Sequence, residues 1–151
     1  MMMQWCSDYD SGIYVIDQQH KQLINIANEL DCLHRSKLCT DDGNDVEKQE
    51  MIESNFLKLI NYCNYHFTIE ELAMEKCKYM RRELHKATHD KFVTEIHGLY
   101  RKYHRQDCLA LRYTVDFLYD WLVDHIMGED RRYVSVLAEV FANDPKFKSD
   151  T

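Results

Sequence analysis

Turn-forming residues are scarce in this chain: its 151 residues include one proline, Pro145, and 4 glycines. A β-sandwich or barrel draws heavily on both types, so an all-β fold is excluded. No apolar run approaches the roughly 20 residues that a bilayer-spanning helix needs. The N-terminal Met-Met-Met-Gln-Trp-Cys-Ser-Asp has neither a basic nor an apolar segment and does not read as a secretory signal. Basic excess is also missing. There are 19 Lys and Arg against 26 Asp and Glu, a formal charge of −7, and no basic cluster stands out. Nucleic acid is therefore not an expected partner. The 6 cysteines form no CxxC pair, which argues against a cysteine zinc site. The expectation is a cytoplasmic protein with free thiols.

What the chain does have is helical periodicity, with hydrophobic residues at 45%. An arm over residues 1–16, holding Trp5, Tyr9, Ile13 and Ile16, lacks that pattern and is expected to lie across the rest. Asp17 reads as the cap of a first helix carrying Ile16, His20, Leu23, Ala27, Leu30 and His34. After a loop at 40–45, a second helix carries Ile52, Phe56, Leu59, Cys63, His66, Glu70, Ala73 and Cys77. A break near Lys78–Arg81 leads to a third helix with His85, His89, Phe92, Ile96, Leu99 and Tyr103, interrupted by Gly98. A turn near Arg105–Asp107 precedes a fourth, with Leu111, Val115, Leu118, Leu122 and His125, which Gly128 ends or bends. Residues 130–142 form a short last helix. Four amphipathic helices and short loops predict an all-α, antiparallel up-down-up-down four-helix bundle. One domain is expected over 1–151, with the bundle at about 17–128 and a C-terminal segment at 129–151.

The apolar stripes carry polar residues where Leu or Ile belongs. His20, His66, His85, His89, His125 and Glu70 all lie on them. A buried carboxylate without a partner costs several kcal/mol or becomes neutral. Any one pair, such as His66 with Glu70 or His85 with His89, reads as a surface pair or a satisfied core histidine. Six such residues on four stripes point to a shared metal, and imidazole with carboxylate suits iron. Asp130 lies five residues after His125, misaligned on a straight helix. A bend at Gly128 would return it to the site, and from spacing alone Glu129 competes.

The segments Gly12-Ile13-x-x-Ile16-Asp17-x-Gln19-His20-Lys21, His66-Phe67-x-x-Glu70-Glu71-x-x-Met74, His85-Lys86-x-x-His89-x-x-Phe92 and Trp121-Leu122-x-x-His125-Ile126-x-x-x-Asp130 resemble, as an ordered set, the hemerythrins, above all their bacterial branch. The resemblance spans roughly residues 5–135. It implies a four-helix bundle with two iron ions (Fe2+/Fe3+), an oxo or hydroxo bridge, and dioxygen as ligand. His85, His89 and His125 would hold one iron, His20 and His66 the other, and Glu70 and Asp130 would bridge them. Two features depart from the pattern: Tyr79-Met80 stands where many members have Tyr-Pro, and the stretch from His89 to His125 is longer than in the invertebrate carriers.

With three bridges shared, the iron on His20 and His66 is one ligand short, and dioxygen would bind there. Five neutral imidazoles and two carboxylates favour binding over O–O cleavage, so no catalytic residues are expected. The expected function is reversible dioxygen binding for storage, delivery or buffering. The alternatives are a sensor of oxygen, nitric oxide or redox state on the same site, or a di-iron oxidase or peroxidase. His34 lies 14 residues beyond His20, about 21 Å along a helix, too far to join the site. His97 and His104 match no motif.

Overall fold

In the computed structural model, residues 2–36, 46–104 and 108–143 are described, and for Cys108 and residues 129–131 only the backbone is. The expected loop at 40–45 and the turn at 105–107 lie outside the described residues. Four helices build the bundle: α1 (Tyr14–Arg35), α2 (Val46–Lys76), α3 (Arg82–His104) and α4 (Cys108–Asp124). A π turn, His125–Glu129, continues α4 into a fifth helix, α5 (Asp130–Asn143). Each bundle helix packs on its neighbour in sequence, and α4 closes the ring against α1. The predicted four-helix topology, with its arm and last helix, is the one found.

Two boundaries differ from the sequence reading. First, α1 begins at Tyr14 with Ile13 in the cap position, so Asp17 is inside the helix and the arm is shorter than residues 1–16. Among the described residues the Asp17 carboxylate caps no N–H of the helix; from within the first turn it accepts the Ser11 N–H at 3.0 Å and so ties the arm to α1. Gly12, at φ 87°, makes the turn into α1 in the left-handed region that glycine tolerates. Second, α4 gives way at Asp124, before Gly128, to a π turn that contains that glycine.

The break after α2 falls where it was predicted. Tyr79 N–H bonds the Met74 carbonyl at 2.8 Å and Lys78 N–H bonds the Glu75 carbonyl at 3.2 Å. These are the paired bonds of a Schellman motif, with Lys78 in the left-handed position at φ 55°. Met74 and Tyr79 pack in the same apolar cluster, which completes the motif and sets the entry to α3.

The apolar interior is in two parts. One part fills most of the bundle, from Leu23 and Phe56 to Leu118 and Ile126. The other closes one end, where Tyr133, Leu137 and Phe141 of α5 meet Ile13, Ile16, Ala73 and Met74. On α1, His20 lies between Ile16 of the smaller core and Leu23 of the larger. On α2, His66 and Glu70 lie between Cys63 and Ala73 in the same way. The polar residues thus form a layer between two cores.

A second polar knot ties α1, α4 and the arm together. Arg35 bonds both Asp31 oxygens, at 3.0 and 2.9 Å, and the Tyr119 hydroxyl donates to Asp31 at 2.9 Å. Asn28 exchanges two hydrogen bonds with the backbone of Met3, at 3.0 and 2.8 Å. No helix among the described residues is long and apolar enough to cross a membrane.

Candidate metal centre

Helical spacing delivers the site. The i, i+4 pairs His66/Glu70 on α2 and His85/His89 on α3 each place two side chains on one inward face. His20 enters from α1 and His125 from the start of the π turn. All six are buried, none more than 3% exposed.

Glu70 is the centre of the cluster. Its Oε1 lies 2.7 Å from His66 Nε2, 3.4 Å from His125 Nε2 and 3.8 Å from His20 Nε2. Its Oε2 lies 3.1 Å from His85 Nε2 and 3.2 Å from His89 Nε2. One carboxylate therefore divides the imidazoles between its two oxygens. The potential ligand atoms form two groups, each within 4.8 Å: His20, His66, Glu70 and His125, and His85, His89 and His125.

A neighbour that the sequence reading named in the first family segment, without a role, fixes the chemistry of His66. The buried Gln19 places its Oε1 2.6 Å from His66 Nδ1. An amide oxygen only accepts, so Nδ1 carries the proton and Nε2 of the neutral ring carries a lone pair. Burial pushes the His66 pKa below its usual value, despite the opposing pull of Glu70, and favours that neutral ring. The lone pair then faces a carboxylate oxygen at 2.7 Å and the Nε2 of His125 at 3.4 Å.

Glu70 is in turn held anionic. Burial opposes its charge, and protonated or hydrogen-bonding imidazoles, His66 and His125 foremost, hold its pKa well below the usual carboxylate range. No Lys or Arg is buried among the described residues to share that role. With the rings neutral, as Gln19 holds His66, that support is withdrawn and lone pairs face a buried anion, an arrangement that a cation would neutralise. The donor set of nitrogen and carboxylate oxygen, without thiolate, fits iron.

Aromatic rings wall the cluster. Phe67 stacks on His89 with centroids 3.9 Å apart and planes 8° apart, and Trp121 stacks on His125 at 4.3 Å and 15°. Tyr133 of α5 meets His85 edge to face at 5.2 Å. Of the seven residues singled out from sequence, the structure gathers His20, His66, Glu70, His85, His89 and His125. Asp130 begins α5 immediately after the π turn, and its side chain lies outside the described residues. On an α-helix, positions five apart are turned by about 140°. The i, i+5 repeat of a π turn removes most of that offset between positions 125 and 130. His34 falls in the last turn of α1, away from the cluster, and His104 pairs with Glu53 at 3.3 Å.

Gln19 was visible in sequence only as the residue before His20. Its role depends on a partner 47 residues away, which no local pattern reveals.

Known proteins are similar to this chain in sequence and fold. The family model described as the hemerythrin HHE cation binding domain matches residues 11–137. A bacteriohemerythrin of Methylococcus capsulatus is 31% identical over 133 residues, covering 87% of this chain and 94% of that protein. A hemerythrin-like protein of Naegleria gruberi is 31% identical over 137 residues, covering 88% and 92% respectively. A crystal structure of wild-type hemerythrin superposes with a TM-score of 0.72 at 30% identity, covering 91% of this chain and 99% of that one. A family match over most of the chain, joined to a buried histidine–glutamate cluster on four helices, places the protein in the hemerythrin family.

Proposed function

We propose that this chain binds dioxygen reversibly at a di-iron centre built on the Glu70 cluster. The observation that carries the reading is the division of five Nε2 atoms between the two oxygens of one buried carboxylate. That division suits a carboxylate spanning two cations. His85 and His89 would hold one ion, His20 and His66 the other, and Glu70 both; His125, nearer Oε1 but within reach of both groups, is assigned to the His85 and His89 ion by the family resemblance. Asp130 is proposed as the second bridge, supported by the i, i+5 register of the π turn that precedes it. Two ferrous ions, when bound, supply the electrons and the vacant coordination position that dioxygen needs.

The residues of the chain supply the rest. Gln19 holds His66 in one tautomer, and Phe67 and Trp121 exclude water beside the imidazoles. A donor set dominated by neutral imidazole supports a carrier over a catalyst, because anionic donors are what favour the high-valent iron of di-iron oxygenases. Storage, delivery and buffering are the roles such a site serves. A reducing compartment, the cytoplasm, suits a chain with free thiols at Cys6, Cys32, Cys63 and Cys77.

The test is an oxygenation cycle. Iron-loaded, reduced protein should be colourless, develop a visible band in air, and lose it on degassing without added reductant. Sustained oxygen uptake with an electron donor, without a coloured reversible adduct, would favour an oxidase and overturn the reading.

A further inference from the structure

The geometry points to Phe67 and Trp121 as positioning residues, whose ring faces fix the imidazole planes of His89 and His125 ahead of metal binding. This rests on the metal-binding reading of the cluster. Near-parallel stacking, 8° for Phe67 on His89 and 15° for Trp121 on His125, constrains ring rotation, the freedom that decides where an imidazole lone pair points. The constraint comes from two directions. Trp121, on α4, precedes His125 by four residues and braces it at the start of the π turn. Phe67, on α2, braces His89 across the helix interface. The two braces touch each other at 5.5 Å between ring centroids. His89 Nε2 then stands 3.2 Å from Glu70 Oε2, and His125 Nε2 stands 3.4 Å from Glu70 Oε1. A ligand already oriented binds without the entropy loss of being ordered, and supports of this kind to metal-bound histidines are worth about tenfold or more in affinity.

Phe92 provides an internal comparison. It is as buried as Phe67 and packs on both braces, at 4.0 Å from Trp121 and 5.7 Å from Phe67. Among the described residues its ring partners are these two and Phe117, with no imidazole stacked on it. A role confined to packing predicts equal effects at all three positions, whereas positioning predicts effects at two.

The experiment measures iron release from the reduced, loaded protein to a ferrous chelator, with thermal midpoints recorded alongside. Phe67→Leu and Trp121→Leu should each release iron roughly three- to tenfold faster. Phe67→Tyr and Trp121→Phe, which keep a flat ring, should stay within about twofold of the parent protein. Phe92→Leu should lower the midpoint but leave release near the parent rate. If Phe92→Leu accelerates release as much as the other two, or if the ring-retaining variants behave like the leucines, the positioning role is overturned. A parent protein that takes up no iron sinks the metal reading itself. Iron uptake with indistinguishable release across the set sinks this inference alone.

Discussion

Gln19 on α1 and His66 on α2 meet at 2.6 Å, amide oxygen to ring nitrogen, with both side chains wholly buried. Gln19→Leu removes the acceptor and leaves Nδ1–H unpaired, a loss of about 1–3 kcal/mol. It also frees the ring to change tautomer, so iron affinity should fall about 10- to 100-fold. Gln19→Glu keeps an acceptor and should retain most of the affinity. Chelator competition with both variants checks this, and equal affinity for Gln19→Leu and the parent would remove Gln19 from the site.

Glu70→Gln tests the bridge with little change of shape. The amide keeps one oxygen but loses the charge that spans both imidazole groups. Elemental analysis should find two irons per chain in the parent and fewer than one in the variant. Stripping iron from the parent should lower its thermal midpoint, because metal held by the folded state alone adds to stability. Hydrogen exchange should then rise first around Glu70 and His125. An unchanged midpoint after stripping would show that the layer stands without metal.

Lys78 holds a left-handed backbone, φ 55°, in the turn that closes α2. A side chain there is strained by about 1–2 kcal/mol relative to glycine. Lys78→Gly should gain about 1 kcal/mol once the added flexibility of the unfolded chain is deducted. Urea unfolding measures it, and a loss of stability would mean that the lysine makes a contact worth more than the strain.

Asp31 should impose an acid dependence separable from that of the histidines. Burial works against its charge, but the hydrogen bonds from Tyr119 and Arg35 and the Arg35 charge leave its pKa lowered. A carboxyl lowered by folding stabilises the fold fully above the ordinary carboxyl value, and the contribution disappears as pH falls through the lowered one. Asp31→Asn should therefore be less stable than the parent at pH 7, by about 2 kcal/mol. The gap should hold down to about pH 5 and narrow below about pH 4. Urea midpoints across that range decide the matter, and a gap that widens in acid would contradict the assignment.

The helices were legible because their interior positions repeat every three or four residues, from Ile52 to Cys77 on α2 and from His85 to Tyr103 on α3. The same repeat exposed the cluster, since imidazoles and a carboxylate on an apolar stripe conflict with their surroundings. Local pattern failed where a bond runs against its usual direction or over a long interval. Asp17 looked like a cap because it does satisfy a backbone N–H, but from inside the helix it follows. The π turn leaves no composition signature beyond Gly128, which reads equally as an end or a bend. Nothing in the spacing of Phe67 and Trp121 sets them apart from core residues, and the interplanar angles separate bracing from filling.

The π turn also limits how this chain can vary in length. It accommodates one more residue per turn than an α-helix does, between a helix fixed in the bundle and a helix fixed against the bundle's end. Were these same five residues α-helical instead, α5 would be rotated by about 100° about its axis. Tyr133, Leu137 and Phe141 would leave the smaller core together, and with them the ring that meets His85. A one-residue deletion here, taken up by a return to α-helical spacing, should therefore leave α5 in place, whereas a one-residue insertion should turn it away, so that residue number and turn type are under joint constraint.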